Sequence, residues 1–169
     1  MARTLTLVLG GARSGKSRCA EAIVTAAPSP WRYIATAEAR DGEMTERIAA
    51  HRARRAAGWT TVEAPRDLAE AIAATPPGEP VLVDCVTLWL SNHLIGESDL
   101  EAEMAALHAA LHARQGPVCV VSNEVGLGIV PENALARRFR DAAGDLNQRL
   151  AAAADRVIFV AAGLELQLK

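Results

Sequence analysis

Three groups of residues have the types and spacing to do chemistry. The first is Gly10-Gly11-Ala12-Arg13-Ser14-Gly15-Lys16-Ser17, which follows an apolar, alternating run, Thr4 to Leu9, and opens a helical one. Gly-x-x-x-x-Gly-Lys-Ser between a strand and a helix is the setting of a phosphate loop. Its glycines let backbone N–H groups turn toward phosphate oxygens, and the helix start adds partial positive charge. Lys16 is expected to reach the outer phosphates and Ser17 to ligate Mg2+. The second group is Val81-Leu82-Val83-Asp84, an apolar run ending in a carboxylate. Asp84 is expected either to hold Mg2+ with Ser17 or to cap the helix that follows.

The third group centres on His51. If Glu43 to Ala57 is a helix, then Arg47, His51 and Arg55 lie at i, i+4 steps along one face, with Arg54 close by. Neighbouring cations disfavour protonation of the imidazole, and a neutral ring has a lone pair able to attack phosphorus. The same arginines would neutralise phosphate oxygens. By composition alone the stretch reads better as a solvated basic helix face, and composition would not make His51 catalytic. His108 and His112 share i, i+4 spacing without an evident third metal ligand, and His93, just past the apolar Leu88-Trp89-Leu90, reads as structural.

These groups need a scaffold, and the pattern around them alternates strands with helices. Strands are expected at Thr4 to Leu9, Arg32 to Thr36, Pro80 to Asp84, Val118 to Ser122 and Arg156 to Val160. Helices are expected at Lys16 to Ala27, Glu43 to Ala57, Asp67 to Ala74, Leu100 to Ala113 and Ala134 to Ala153. That alternation predicts an α/β fold with a mostly parallel sheet. Gly163 followed by Leu164-Glu165-Leu166-Gln167-Leu168 predicts a final edge strand. The 169 residues fit one domain, 1–169, and Pro76-Pro77-Gly78 separates a helix from a strand rather than two domains.

Half the residues are hydrophobic and 22% are charged, a globular balance. A net charge of −2 and the lack of a basic, aromatic-studded run argue against a nucleic-acid partner. Cys19, Cys85 and Cys119 form no Cys-x-x-Cys pair and read as buried thiols. No apolar run approaches the roughly 20 residues of a membrane span. With the first strand beginning almost at Met1, the expectation is a soluble, cytoplasmic protein.

Several further blocks lie in order along the chain: Tyr33-Ile34-Ala35-Thr36, Glu43-Met44, Arg47-Ile48, His51-Arg52, Trp59-Thr60-Thr61-Val62-Glu63, Asp84 through Asn92, Asn123-Glu124-Val125-Gly126-Leu127-Gly128-Ile129-Val130-Pro131, and Ala136-Arg137 through Asn147-Gln148. With the phosphate loop, these resemble the bifunctional adenosylcobinamide kinase and adenosylcobinamide-phosphate guanylyltransferase family. The resemblance implies a RecA-like P-loop NTPase fold and two reactions. Adenosylcobinamide is phosphorylated with ATP or GTP. GMP then passes from GTP, through a guanylyl-histidine, to adenosylcobinamide phosphate. It implies that His51 is the guanylylated residue, and that Thr36, Ala37, Glu38, Arg52, Ala53, Arg54, Arg55, Glu63 and Asp84 join the loop in holding nucleotide. Glu124 is left open between a role near the substrate hydroxyl or Mg2+ and a brace for its loop. The resemblance also implies a homotrimer. A monofunctional P-loop kinase acting on another small molecule is the alternative; it would share the loop and Asp84 and have no use for His51.

Overall fold

The computed structural model describes residues 3–38 and 57–169. In chain order the elements are β1 (Thr4–Gly10), α1 (Lys16–Thr25), β2 (Trp31–Ala35), β3 (Trp59–Glu63), α2 (Leu68–Ala74), β4 (Val81–Asp84), α3 (Val86–Ile95), α4 (Leu100–Ala113), β5 (Pro117–Asn123), α5 (Ala134–Ala153), β6 (Arg156–Ala161) and β7 (Leu164–Gln167). The strands form one sheet in the order β3-β2-β4-β5-β1-β6-β7. Every pairing is parallel except β6 with β7. This is the mostly parallel α/β architecture expected from the alternation of runs.

Parallel strands covered on both faces bury nearly every residue, and β1 is buried from Leu5 through Gly10. Its side chains alternate between two cores. Leu5, Leu7 and Leu9 join a layer completed by Leu68, Ile72, Trp89, Leu107 and Leu146 from α2 to α5. Val8 joins the opposite layer, with Cys19, Ala20 and Val24 of α1. The chain thus leaves β1 by α1 on one face, while the β5–α5–β6 connection passes β1 on the other. Ligands of open α/β sheets bind at the carboxyl ends of strands where connections diverge in this way.

Local chemistry sets the helix starts. Asp99 accepts hydrogen bonds from the Glu101 and Ala102 N–H groups at the head of α4, and Asn133 does the same for Leu135 and Ala136 at the head of α5. The expected strands match those observed to within a residue at each end, and the final edge strand is present. Two elements were not expected. β3 is five residues long, at the sheet edge, with no clean inside–outside alternation. α3 is buried over most of its circumference, so it lacks the one-sided apolar stripe that marks a helix in sequence. The helix expected at 43–57 lies outside the described residues except for Ala57, which is in a turn. No described helix is long and apolar enough to cross a membrane.

Candidate nucleotide-binding site

The phosphate loop begins on Gly10, the last residue of β1, and ends where Lys16 opens α1. Two residues in it carry left-handed backbone, Arg13 at φ 54° and Gly15 at φ 99°. The Ser14 N–H closes a turn on the Gly11 carbonyl at 3.3 Å. A Cβ on Gly10 would stand 2.5 Å from Ser14 Oγ and 2.6 Å from the Val160 carbonyl oxygen, so only glycine fits there. The Lys16 ammonium donates to the Gly11 carbonyl at 3.0 Å, which keeps it folded against the loop.

Behind the loop stands the β6–β7 hairpin. Ala162 and Gly163 both have positive φ, the two-residue turn whose twist suits antiparallel strands. The Gly163 N–H donates to the Ser14 carbonyl at 2.8 Å, and a Cβ on Gly15 would lie 3.3 Å from Gly163 Cα. The hairpin is therefore a strut under the phosphate loop.

Strand register brings the other carboxylates to the same edge. Glu63 on β3 pairs with Ala35 on β2, which in turn pairs with Asp84 on β4. At the other end, Gly10 on β1 pairs with Asn123 on β5. Thr36, Ala37 and Glu38 continue from the end of β2, so all of these sit along the carboxyl edge of the sheet. Four strand spacings of about 4.8 Å separate β3 from β1, putting Glu63 roughly 19 Å from the loop's own strand. Asp84 is half-buried, and its Oδ2 accepts from the Tyr33 hydroxyl at 2.8 Å. Asp84 does not cap α3: its neighbour Cys85 occupies that position, with no side-chain cap. Glu38 Oε1 is 3.8 Å from the Arg66 guanidinium.

Both Asp84 and Lys16 act on the buried Cys85 thiol. Burial and then the Asp84 carboxylate push its pKa up, hydrogen bonds from Leu88 and Thr87 and then the Lys16 charge pull it part-way back, and the result is about 11. Lys16 and Asp84 thus share one electrostatic neighbourhood. The hydroxyl of Ser17 and the carboxylate of Asp84 are hard oxygen donors of the kind Mg2+ takes. Ser14 Oγ is buried without a hydrogen-bond partner among the described residues, the type of group a phosphate oxygen would satisfy. The residues present fit a metal-bound triphosphate.

A family description, cobinamide kinase / cobinamide phosphate guanyltransferase, matches residues 6–168. The chain belongs to that family. As a family member it is a kinase and guanylyltransferase of cobalamin biosynthesis. It is 49% identical over 166 residues to the bifunctional adenosylcobalamin biosynthesis protein CobP of Pseudomonas aeruginosa, covering 96% of each chain. It is 45% identical over 181 residues to the corresponding CobU protein of Salmonella typhimurium, covering 98% of this chain and 99% of that one. A prototypical ATPase of a bacterial type III secretion system has a similar fold, with TM-score 0.55 at 12% identity; the match covers 97% of this chain and 56% of that one. A Pyrococcus horikoshii structure matches with TM-score 0.56 at 9% identity, covering 98% and 86%. At such identities these two neighbours speak for the fold alone.

Among the described residues, the thiols and imidazoles are held as follows. Cys85 is a neutral thiol at pH 7, and burial pushes Cys119 higher still. Cys19 is raised to about 12, first by burial and then by Glu165. Both ring nitrogens of His93 are engaged, Nδ1 with Ser98 Oγ at 3.0 Å and Nε2 with the Arg66 carbonyl at 3.1 Å. His108 and His112 are exposed on α4, in the layer opposite α1. His51 lies outside the described residues, as do Arg52, Ala53, Arg54 and Arg55.

Some residues that build the site had no assigned role in the sequence reading. Thr87, Ser122 and Asn147 form a buried network below the end of β5. Ser122 Oγ donates to Asn147 Oδ1 at 2.6 Å, Asn147 Nδ2 to the Asn123 carbonyl at 3.2 Å, and the Asn123 N–H to Thr87 Oγ1 at 2.7 Å. The Glu124 N–H then reaches the Gly10 carbonyl at 3.1 Å, which ties the exit of β5 to the phosphate loop. Glu124 Oε1 accepts from the Gly126 N–H, a contact of the loop-brace kind.

Proposed function

We propose that this chain carries out both reactions of its family at one nucleotide site, within a single domain spanning 1–169. The observation that carries the reading is the shared edge. The phosphate loop, Asp84, Thr36 to Glu38 and Glu63 lie along the carboxyl ends of neighbouring strands, long enough for a nucleotide laid from loop to Glu63.

In the first reaction the aminopropanol hydroxyl of adenosylcobinamide attacks the γ-phosphorus of ATP or GTP. The new O–P bond forms as the bond to the β-phosphate oxygen breaks, and a nucleoside diphosphate leaves. The loop N–H groups and Lys16 hold the phosphate oxygens and meet the charge that develops on them. Ser17 and Asp84 would hold Mg2+, which when bound supplies further neutralisation of the β- and γ-oxygens. Tyr33 fixes the Asp84 carboxylate through its hydroxyl.

In the second reaction a neutral His51 nitrogen attacks the α-phosphorus of GTP. An N–P bond forms, pyrophosphate leaves, and the phosphate oxygen of adenosylcobinamide phosphate then displaces His51 to give adenosylcobinamide-GDP. Arg52 to Arg55 lie next to His51 in sequence and would offset charge on the transferring phosphoryl group. Glu38 and Glu63 accept hydrogen bonds from the nucleoside, one from the base and one from the ribose. The neutral, buried cysteines and the doubly bonded His93 support His51 as the nucleophile by leaving few rivals.

The decisive experiment uses GTP labelled at the α-phosphate. The wild type should keep an acid-labile covalent label after denaturation, and His51→Ala should keep none while still phosphorylating adenosylcobinamide. A label retained in His51→Ala refutes the assignment. No label in the wild type favours the single-activity kinase. The assembly we propose is a homotrimer in the cytoplasm. Leu127, Ile129, Leu164 and Leu166 are all more than half exposed and would supply apolar contacts to such an assembly. Sedimentation velocity giving a monomer would overturn the trimer.

A further inference from the structure

One face of α3 presents Trp89, Asn92 and His93, spaced i, i+3 and i+4 and all buried. Their side-chain nitrogens, apart from His93 Nδ1 on Ser98 Oγ, go to the loops that leave β2 and β3. Trp89 Nε1 donates to the Arg66 carbonyl at 2.9 Å, and His93 Nε2 donates to the same oxygen. Asn92 Nδ2 donates to two carbonyls, Thr36 and Pro65, each at 2.9 Å. Thr36 in turn grips the residue after Asp84: its Oγ1 donates to the Cys85 carbonyl at 2.6 Å and accepts from the Cys85 N–H at 2.9 Å.

A single amide thus joins the ends of three strands. Through Thr36 it is tied to the turn behind Asp84, and through Pro65 to the loop that follows Glu63. Arg66, the next residue, reaches back to Glu38. A buried amide is costly unless its hydrogens are satisfied, and an aliphatic side chain would pack α3 without that cost. What the amide adds is geometry. It sets the distance between the part of the edge that holds phosphates and the part that carries Glu38 and Glu63.

We propose that Asn92 is a positioning residue that places the nucleoside half of the site relative to the phosphate half, so that recognition of the nucleoside depends on it and grip on the phosphates does not. This rests on the reading above that Glu38 and Glu63 contact the nucleoside. Asn92 itself touches neither of the reacting groups.

The test compares GTP with magnesium tripolyphosphate, which has the phosphates and no nucleoside, by titration calorimetry on the full chain. Asn92→Ala should weaken GTP at least tenfold and leave tripolyphosphate within twofold. In turnover it should raise the KM for GTP more than it lowers kcat. Equal weakening of both ligands, or of neither, overturns the proposal. His93→Phe keeps the ring against Trp89 and removes one donor from the Arg66 carbonyl; it should show the same selectivity with a loss of about threefold. If Asn92→Ala does not fold, an unselective His93→Phe overturns the proposal by itself. Glu63→Gln separates the two levels. If it leaves GTP binding intact, the nucleoside reading of the edge fails. If it weakens GTP selectively while Asn92→Ala does not, only the positioning role fails.

Discussion

The closest packing in the site is at Gly10, and it yields the sharpest prediction. A methyl group added there meets the Val160 carbonyl oxygen at 2.6 Å and Ser14 Oγ at 2.5 Å. Ser14 has a side chain that can rotate, but the Val160 carbonyl is backbone held between two paired strands. Restoring ordinary contact of about 3.5 Å therefore requires roughly 1 Å of movement, and the loop is the part able to yield. A shift of that size at a site that works by positioning costs about 100-fold in rate. Overpacking costs about 2 kcal/mol in stability. For a chain of this length that lowers Tm by roughly 4–8 °C. Gly10→Ala should accordingly lose about 100-fold in kcat/KM for adenosylcobinamide phosphorylation, with a modest fall in Tm by calorimetry. Gly144→Ala is the counterpart: its added methyl meets nothing within 4 Å inside α5. It should raise stability by up to about 1 kcal/mol and leave kcat/KM unchanged. Gly10→Ala with activity within twofold of wild type would refute the argument that the β6 backbone shapes the loop.

Other consequences follow from groups away from the loop. Arg114 is buried at the opposite end of the sheet and donates to the carbonyls of Thr75, Pro76 and Glu79. Arg114→Met should therefore cost about 3 kcal/mol and lower Tm by roughly 6–12 °C, read by thermal melts, while kcat stays near wild type. The thiol of Cys85 is raised to about 11, so iodoacetamide at pH 8 should leave it unmodified in the native protein and modify it in urea; mass spectrometry decides. The same shift has a sign for folding. Between its ordinary value near 9 and the folded value, the unfolded chain has lost the proton that the folded chain keeps, so stability should fall as pH rises through 9 to 11. The Arg149–Glu101 pair at 2.7 Å is exposed on both sides, and Arg149→Ala should shift Tm by no more than about 4 °C. Lys16→Ala should abolish phosphorylation and weaken formation of the covalent label, whereas His51→Ala abolishes the label alone.

What was legible in the sequence follows from how local its causes are. The phosphate loop is a contiguous motif whose strand and helix announce themselves, and β1, β4 and β5 are short apolar runs because both of their faces are covered. Residues whose meaning depends on distant partners were not legible in this way. Asn92 is 56 positions from Thr36, and Gly163 meets Ser14 only because β6 lies beside β1. No periodicity announces either pairing. α3 was missed because a helix buried over most of its circumference has no polar stripe, and β3 because a half-exposed edge strand of five residues has no alternation. Tyr33, Thr87 and Asn92 stood inside blocks shared with the family, yet only the fold reveals that each braces the site edge.

The layout also bears on how one loop serves two transfers. A phosphate loop reads phosphates and is indifferent to which phosphorus is attacked, so the choice must come from where the nucleophile enters. The γ-phosphorus lies at the end of the triphosphate farthest from the nucleoside. The α-phosphorus lies nearest the nucleoside, on the side toward Glu38 and Glu63 if the nucleoside is held there. His51 lies in the connection between β2 and β3, outside the described residues. If His51 enters at the nucleoside end, as the proposed guanylyl-histidine requires, it is suited to the α-phosphorus and poorly placed for the γ-phosphorus. On this view the same bound GTP is a phosphoryl donor to an alcohol arriving at one end and a guanylyl donor to the histidine at the other. On the proposed reading, the tie through Asn92 matters for the second reaction more than for the first, because only the second needs the α-phosphorus placed against the nucleoside half of the site.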